Sequence, residues 1–240
     1  MARWHLHLHA FLHNMTASEC DPSFHYKVRE LESDRVKLVP FDPELNGKDF
    51  FAASVPYPEI YDWIPVGPFA TAEAFLDLIE RIVLRDPAVV LFVVFDKSTE
   101  GESRIAGLIG LLDTVPATLS TEMGFVFTLP PFQRTHVTTH AIGLMLTWCL
   151  DELRLRRVQW QANASNEKSV QAALKMGFTL ESIVRWQRVL PPEKRERGMK
   201  PREGDPQPEH YGRHSALLSV CWDDWENGVK DTVRERMSRK

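Results

Sequence analysis

Six residues, Gln133, Arg134, Thr135, His136, Thr138 and Thr139, carry hydrogen-bond donors just where an apolar helical stripe begins, in the stretch FQRTHVTTHAIGLML at 132–146. A helix start exposes unpaired backbone N–H groups, and the helix dipole favours negative charge there. From Thr128 to Leu150 there is no Asp or Glu to oppose an incoming anion. Phosphate-cradling loops usually carry glycine at such a turn, and here the first glycine is Gly143. An anion site built from main-chain amides is chemically sound. An ordinary helix start after Pro130 and Pro131 fits the same residues, and this stretch alone leaves both open. His136 and His140 stand one turn apart, as in the H-E-x-x-H zinc motif. Val137 occupies the glutamate position and no third ligand is evident, so no metal is expected.

A second chemically dense stretch is NASNEKSVQAALKMGF, residues 163–178. Asn166 is placed to cap a helix, with Val170, Ala173 and Leu174 on its inner face. Gly177 ends it and Phe178 returns to the core. Ser169 lies in the first turn. A well-capped structural helix accounts for all of this.

The elements that must position these residues follow from periodicity. DRVKLVPFD predicts a short strand with Val36 and Leu38 on one face. TAEAFLDLIERIVLRD predicts a helix capped by Thr71. AVVLFVVFD, RIAGLIGLLDT and STEMGFVFTL predict three strands in an antiparallel meander. A helix over about 136–153, the strand RRVQWQA, the Asn166 helix and the strands ESIVRWQRVL and HSALLSVCW follow. A closing amphipathic helix carries Trp225, Val229, Val233 and Met237. The charged stretch 191–213 reads as an exposed loop. The result is a mixed α/β (α+β) domain, with a mostly antiparallel central sheet flanked by helices.

Whole-chain properties narrow the classes. The chain has 240 residues, a formal net charge of −4 and 43% hydrophobic residues. That is ordinary globular composition, and no nucleic-acid partner is expected of an acidic chain. No apolar run reaches the roughly 20 residues of a membrane span, so no membrane is expected. Cys20, Cys149 and Cys221 form no C-x-x-C pair and fit a reducing, cytoplasmic setting. The histidine-interrupted start lacks a continuous signal-peptide core. Residues 1–30 are expected to be a disordered or loosely ordered leader before a single domain over 31–240.

The spacing of the two dense stretches resembles the GNAT N-acetyltransferases, specifically the RimJ/RimL-like branch, through the Asn-x-x-Ser…Gly-Phe pattern at Asn166, Ser169, Gly177 and Phe178. The tail SALLSVCWDDWE is similar to fungal members of that branch. The resemblance implies a GNAT-like fold, acetyl-CoA as co-substrate without metal, and direct attack by a primary amine. The acceptor would be a protein N-terminus or a small amine or metabolite, and the assembly a monomer or homodimer. The family loop reads Arg/Gln-x-x-Gly-x-Gly/Ala, so Gln133 matches and His136 and Thr138 replace its glycines. The resemblance assigns the pyrophosphate to Gln133, Arg134, Thr135, His136, Val137, Thr138 and Thr139. Thr138 is small enough for this, whereas His136 must point outward. Main-chain groups of Phe125, Val126 and Phe127 would meet the thioester, and Asn166 and Ser169 the thiol. Glu122 stands where relatives carry a catalytic base. The tyrosine many relatives use as acid is absent, since the four tyrosines are Tyr26, Tyr57, Tyr61 and Tyr211. Ser169 is its nearest substitute. Trp63, Phe69 and Glu122 would line the acceptor pocket. The lost glycines and the absent tyrosine keep an alternative alive, a catalytically idle CoA-binding or protein-interaction module on the same fold.

Overall fold

A computed structural model describes residues 24–99 and 102–239. The expected leader falls mostly on residues 1–23, outside those described. Its last residues, from Phe24 onward, belong instead to the packed body. Phe24 is buried with its ring centroid 6.1 Å from that of Trp148, because an aromatic side chain gains more from the core than a tail gains from freedom.

Eight strands form one sheet: β1 (Leu31–Glu32), β2 (Val36–Pro40), β3 (Val90–Thr99), β4 (Glu102–Val115), β5 (Ser120–Thr128), β6 (Arg157–Asn163), β7 (Thr179–Val189) and β8 (Gly212–Cys221). Their spatial order is β1-β2-β3-β4-β5-β6-β8-β7. Every neighbouring pair is antiparallel except β5 and β6. That pair runs parallel only from Ser120↔Arg157 to Glu122↔Gln159. Beyond it β5 continues to Thr128 on β4 and β6 to Asn163 on β8 without pairing to each other, so the sheet opens into a V.

The helices are α1 (43–54), α2 (72–84), α3 (136–152), α4 (Glu167–Lys175) and α5 (222–238). Strand alternation separates the two faces. Phe92 meets Trp148 of α3 on one. On the other, Phe127 packs on Tyr61, and Phe50 on Phe75 of α2. α5 bends at Gly228, whose φ is 128°, and lays Val233 and Met237 over Gly143 of α3, where a larger residue would collide. The end of α5 therefore reaches the start of α3. Among the described residues no helix is long and apolar enough to cross a membrane.

Candidate active site

Glu122 is the last residue of β5 paired to β6, at the apex of the V. Its carboxylate is buried and accepts hydrogen bonds from Gln161 Nε2 at 2.6 Å and Gln159 Nε2 at 3.2 Å. Burial pushes its pKa up to about 7, against the pull of the Arg188 guanidinium. The two glutamines follow from β alternation, since Gln159, Gln161 and Asn163 share one face of β6.

Above the apex β5 carries a bulge, with Phe125 and Val126 set against the single residue Ile109 of β4. Phe125 takes a left-handed φ of 50°. Such a bulge turns backbone groups out of the ladder, here on the arm of the V that faces no strand. Phe127 rejoins β4 opposite Leu108 and buries its ring against Tyr61.

The loop after β5 is closed by its own side chains. Gln133 Nε2 donates to the Thr128 carbonyl at 3.0 Å, which bends its amide back onto the strand. Arg134 supplies a left-handed turn at φ 62°, the conformation that glycine adopts most easily. Thr135 caps α3, accepting from the Val137 N–H at 3.3 Å and donating to the Phe132 carbonyl at 2.6 Å. Thr138 turns onto β5, its hydroxyl 2.8 Å from that of Thr128. Val137 is in the core.

His136 does not point outward, as expected from its sequence position, but sideways. Arg35 donates to its Nδ1 at 2.9 Å, and Asp96 Oδ1 lies 3.0 Å from its Nε2. Since an arginine can only donate, Nδ1 is the acceptor and Nε2 carries the proton toward Asp96. The ring is thereby held against the β2–β3 side, away from the V. His140 is buried and lies 2.9 Å from the Ser33 hydroxyl. The two histidines thus have separate partners.

Across the V, Asn166 caps α4 by accepting from the Ser169 N–H at 3.2 Å. Ser169 Oγ accepts from the Trp160 indole N–H at 3.1 Å, which leaves its own proton free to be donated. Trp160 escaped the sequence reading, although its alternation with Gln159 and Gln161 points it to the α4 face.

On the other face, the stretch 191–213 departs from the expected exposed loop. Lys194 is buried, and its ammonium donates to the carbonyls of Tyr61, Ile64 and Val66 at 2.6–2.7 Å. Arg197 pairs with Asp62 at 2.7 Å and lies 4.7 Å above the Trp63 ring. Asn163 donates to the Arg197 carbonyl at 2.8 Å. Trp63 therefore sits beyond the end of the row Gln159, Gln161, Asn163 that starts at Glu122. Phe69 packs edge-on to Tyr61 and Phe75, each at 5.5 Å.

A sheet split between two parallel strands, with a bulge on one arm and a capped helix start above it, is a cleft-forming α/β acyltransferase architecture. Residues 35–179 match the acetyltransferase (GNAT) domain model, and the chain belongs to that family of acetyl-CoA-dependent N-acetyltransferases. Among solved structures, it is similar to a GCN5-related N-acetyltransferase from Brucella melitensis, with TM-score 0.74 and 24% identity over 90% of this chain and 89% of that one. It is also similar to spermidine N-acetyltransferase from Vibrio cholerae in complex with CoA and spermine, with TM-score 0.60 and 15% identity over 81% of this chain and 100% of that one. No curated protein matches the sequence.

Proposed function

We propose that residues 31–240 form one acetyltransferase domain that acetylates a primary amine reaching Glu122 from the α1–α2 face. The observation that carries this reading is the buried carboxylate of Glu122, with a pKa near 7, at the apex of the V. Bound acetyl-CoA would supply an activated acyl thioester. The fit of the chain to it rests on the helix start: His136 is tied to Asp96 and Thr138 to Thr128, which turns both side chains away from it, and the Thr135 cap takes the Val137 N–H. Arg134 and Thr135 to Thr139 would hold the pyrophosphate there, and Gln133 would set the loop's shape.

Glu122, ionised above pH 7, takes a proton from the acceptor amine, directly or through water. Main-chain N–H groups at the Phe125–Val126 bulge would donate hydrogen bonds to the acyl oxygen and stabilise the negative charge it gains. Phe127 anchors the far end of that bulge. Asn166 would orient the thiol end, and Ser169, whose oxygen accepts from the Trp160 indole, would donate its hydroxyl hydrogen bond to the departing sulfur. Trp63 and Phe69 line the way in for the acceptor.

The Asn-x-x-Ser helix with its Gly-Phe close supports a place in the RimJ/RimL-like branch, near its fungal members. The acceptor is then a protein N-terminus or a small amine, and the active unit a monomer or homodimer. Buried, unpaired Cys149 supports a cytoplasmic setting. Incubating the protein with acetyl-CoA and a panel of amines and N-terminal peptides, following thiol release and product mass, tests the reading. Amine-dependent release with a single acetyl added to the acceptor is expected. Acetyl-CoA binding without release across the panel would sink it.

A further inference from the structure

A pocket of about 550 Å³ opens on the flank of α3's first turn that faces away from the V. It is lined by five arginines: Arg35 from the start of β2, Arg104 from β4, Arg134 from the loop, and Arg236 and Arg239 from the end of α5. This concentration stands out in a chain whose formal net charge is −4. Among the described residues two carboxylates pair with the five guanidiniums. Asp96 reaches Arg104 at 3.3 Å, and Glu235 reaches Arg239 at 2.7 Å. Five positive charges less these two negative ones leave an excess of three.

Arg35 meets the His136 ring and donates to the Arg239 carbonyl at 3.2 Å. Arg236 Nε is buried without a hydrogen-bond partner. Arg104 lies 5.2 Å above the Phe132 ring. The hydroxyls of Ser98, Thr135 and Thr139 complete the wall. Guanidiniums collected from four separate parts of the chain repel one another, and the fold holds them together through the packing of α5 on Gly143. Planar donors in excess, with hydroxyls between them, suit phosphate oxygens.

We propose that this pocket binds a multiply charged phosphate group. The inference rests in part on the acetyl-CoA reading above. Arg134, Thr135, His136 and Thr139 are shared between the pocket and the loop assigned to the pyrophosphate. The 3′-phosphate of CoA is one group of that chemistry. A free phosphate ester offers the same chemistry from a second source.

The test titrates CoA, 3′-dephospho-CoA and adenosine 3′,5′-bisphosphate against the wild type and the double variant Arg104→Gln, Arg236→Gln, with circular dichroism to show that both are folded. CoA binding at least tenfold tighter than dephospho-CoA, with the ratio falling to about one in the variant, supports the pocket with CoA as the source. Equal affinity for the two, with bisphosphate bound by CoA-saturated wild type and lost in the variant, supports it with a free ester as the source. Equal affinity, and no bisphosphate binding that depends on the two arginines, overturns the proposal. If neither CoA form binds the wild type, the acetyl-CoA reading fails, and the bisphosphate titration of the free protein alone then decides the pocket.

Discussion

Glu122 makes the sharpest claim at the scale of single residues, because its burial affects rate and stability in opposite directions. Its pKa of about 7 stands above the ordinary carboxylate value of 4.5. As a base it works only when ionised, so kcat/KM should rise with pH through about 7. Glu122→Gln should remove that limb and lower turnover roughly 10²-fold, and an unchanged pH profile would take Glu122 out of the mechanism. A carboxylate whose pKa is raised on folding binds its proton more tightly in the native state. The native protein therefore loses stability as pH climbs from about 4.5 to about 7, by at most about 3 kcal/mol. Glu122→Gln should recover most of that at pH 8 and little at pH 4.5, as denaturant melts at the two pH values would show. His136 makes a second claim. If its ring is held clear of the phosphate path, His136→Gly gains no more than about threefold in CoA affinity while losing about 1 kcal/mol of stability from glycine in a first turn. A tenfold gain in affinity by calorimetry would mean that the ring obstructs the site.

Elements were legible where their signal is local. The continuous apolar run of β3, the strands β4 and β5, the Thr71 and Asn166 caps, and the Trp225 to Met237 stripe all lie where the sequence predicts them. What the sequence hid are features that depend on which strand meets which. β8 inserts between β6 and β7, and nothing in HSALLSVCW marks it as an inner strand except its apolar run. The partnership of Asp96 with His136 joins residues 40 apart, so no local pattern encodes it. The Phe125 bulge is of this kind too, and its support lies across the ladder at Gly107. A Cβ at Gly107 would overlap the Phe127 carbonyl oxygen. Gly107→Ala should therefore push β5 off β4, costing at least about 3 kcal/mol and abolishing acetyl-CoA binding along with the bulge. A melt within 2 °C of wild type would show that the close approach is not needed.

At the scale of the whole molecule the V divides labour between two faces. α3, α4 and the end of α5 stand on the side assigned to acetyl-CoA, while α1, α2 and the stretch 191–213 enclose the side assigned to the acceptor. Lys194 ties the acceptor side together, because its ammonium has three donors and meets three carbonyls of the segment 61–66. Burial pulls its pKa down to about 8, and those carbonyls act the other way by holding its charged form. Lys194→Met keeps the length of the stem and removes every donor. Three buried carbonyls then lose their partner, at a cost on the order of 2–3 kcal/mol. Trp63 and Phe69 lie in or beside the segment that Lys194 clamps, so its loosening should raise the acceptor KM tenfold or more. The ammonium's three hydrogen bonds all go to the segment 61–66, so the affinity for acetyl-CoA should stay within about twofold. Parallel titrations of acceptor and acetyl-CoA separate the two faces. If both affinities fall together, the division of labour is wrong and Lys194 supports the fold as a whole.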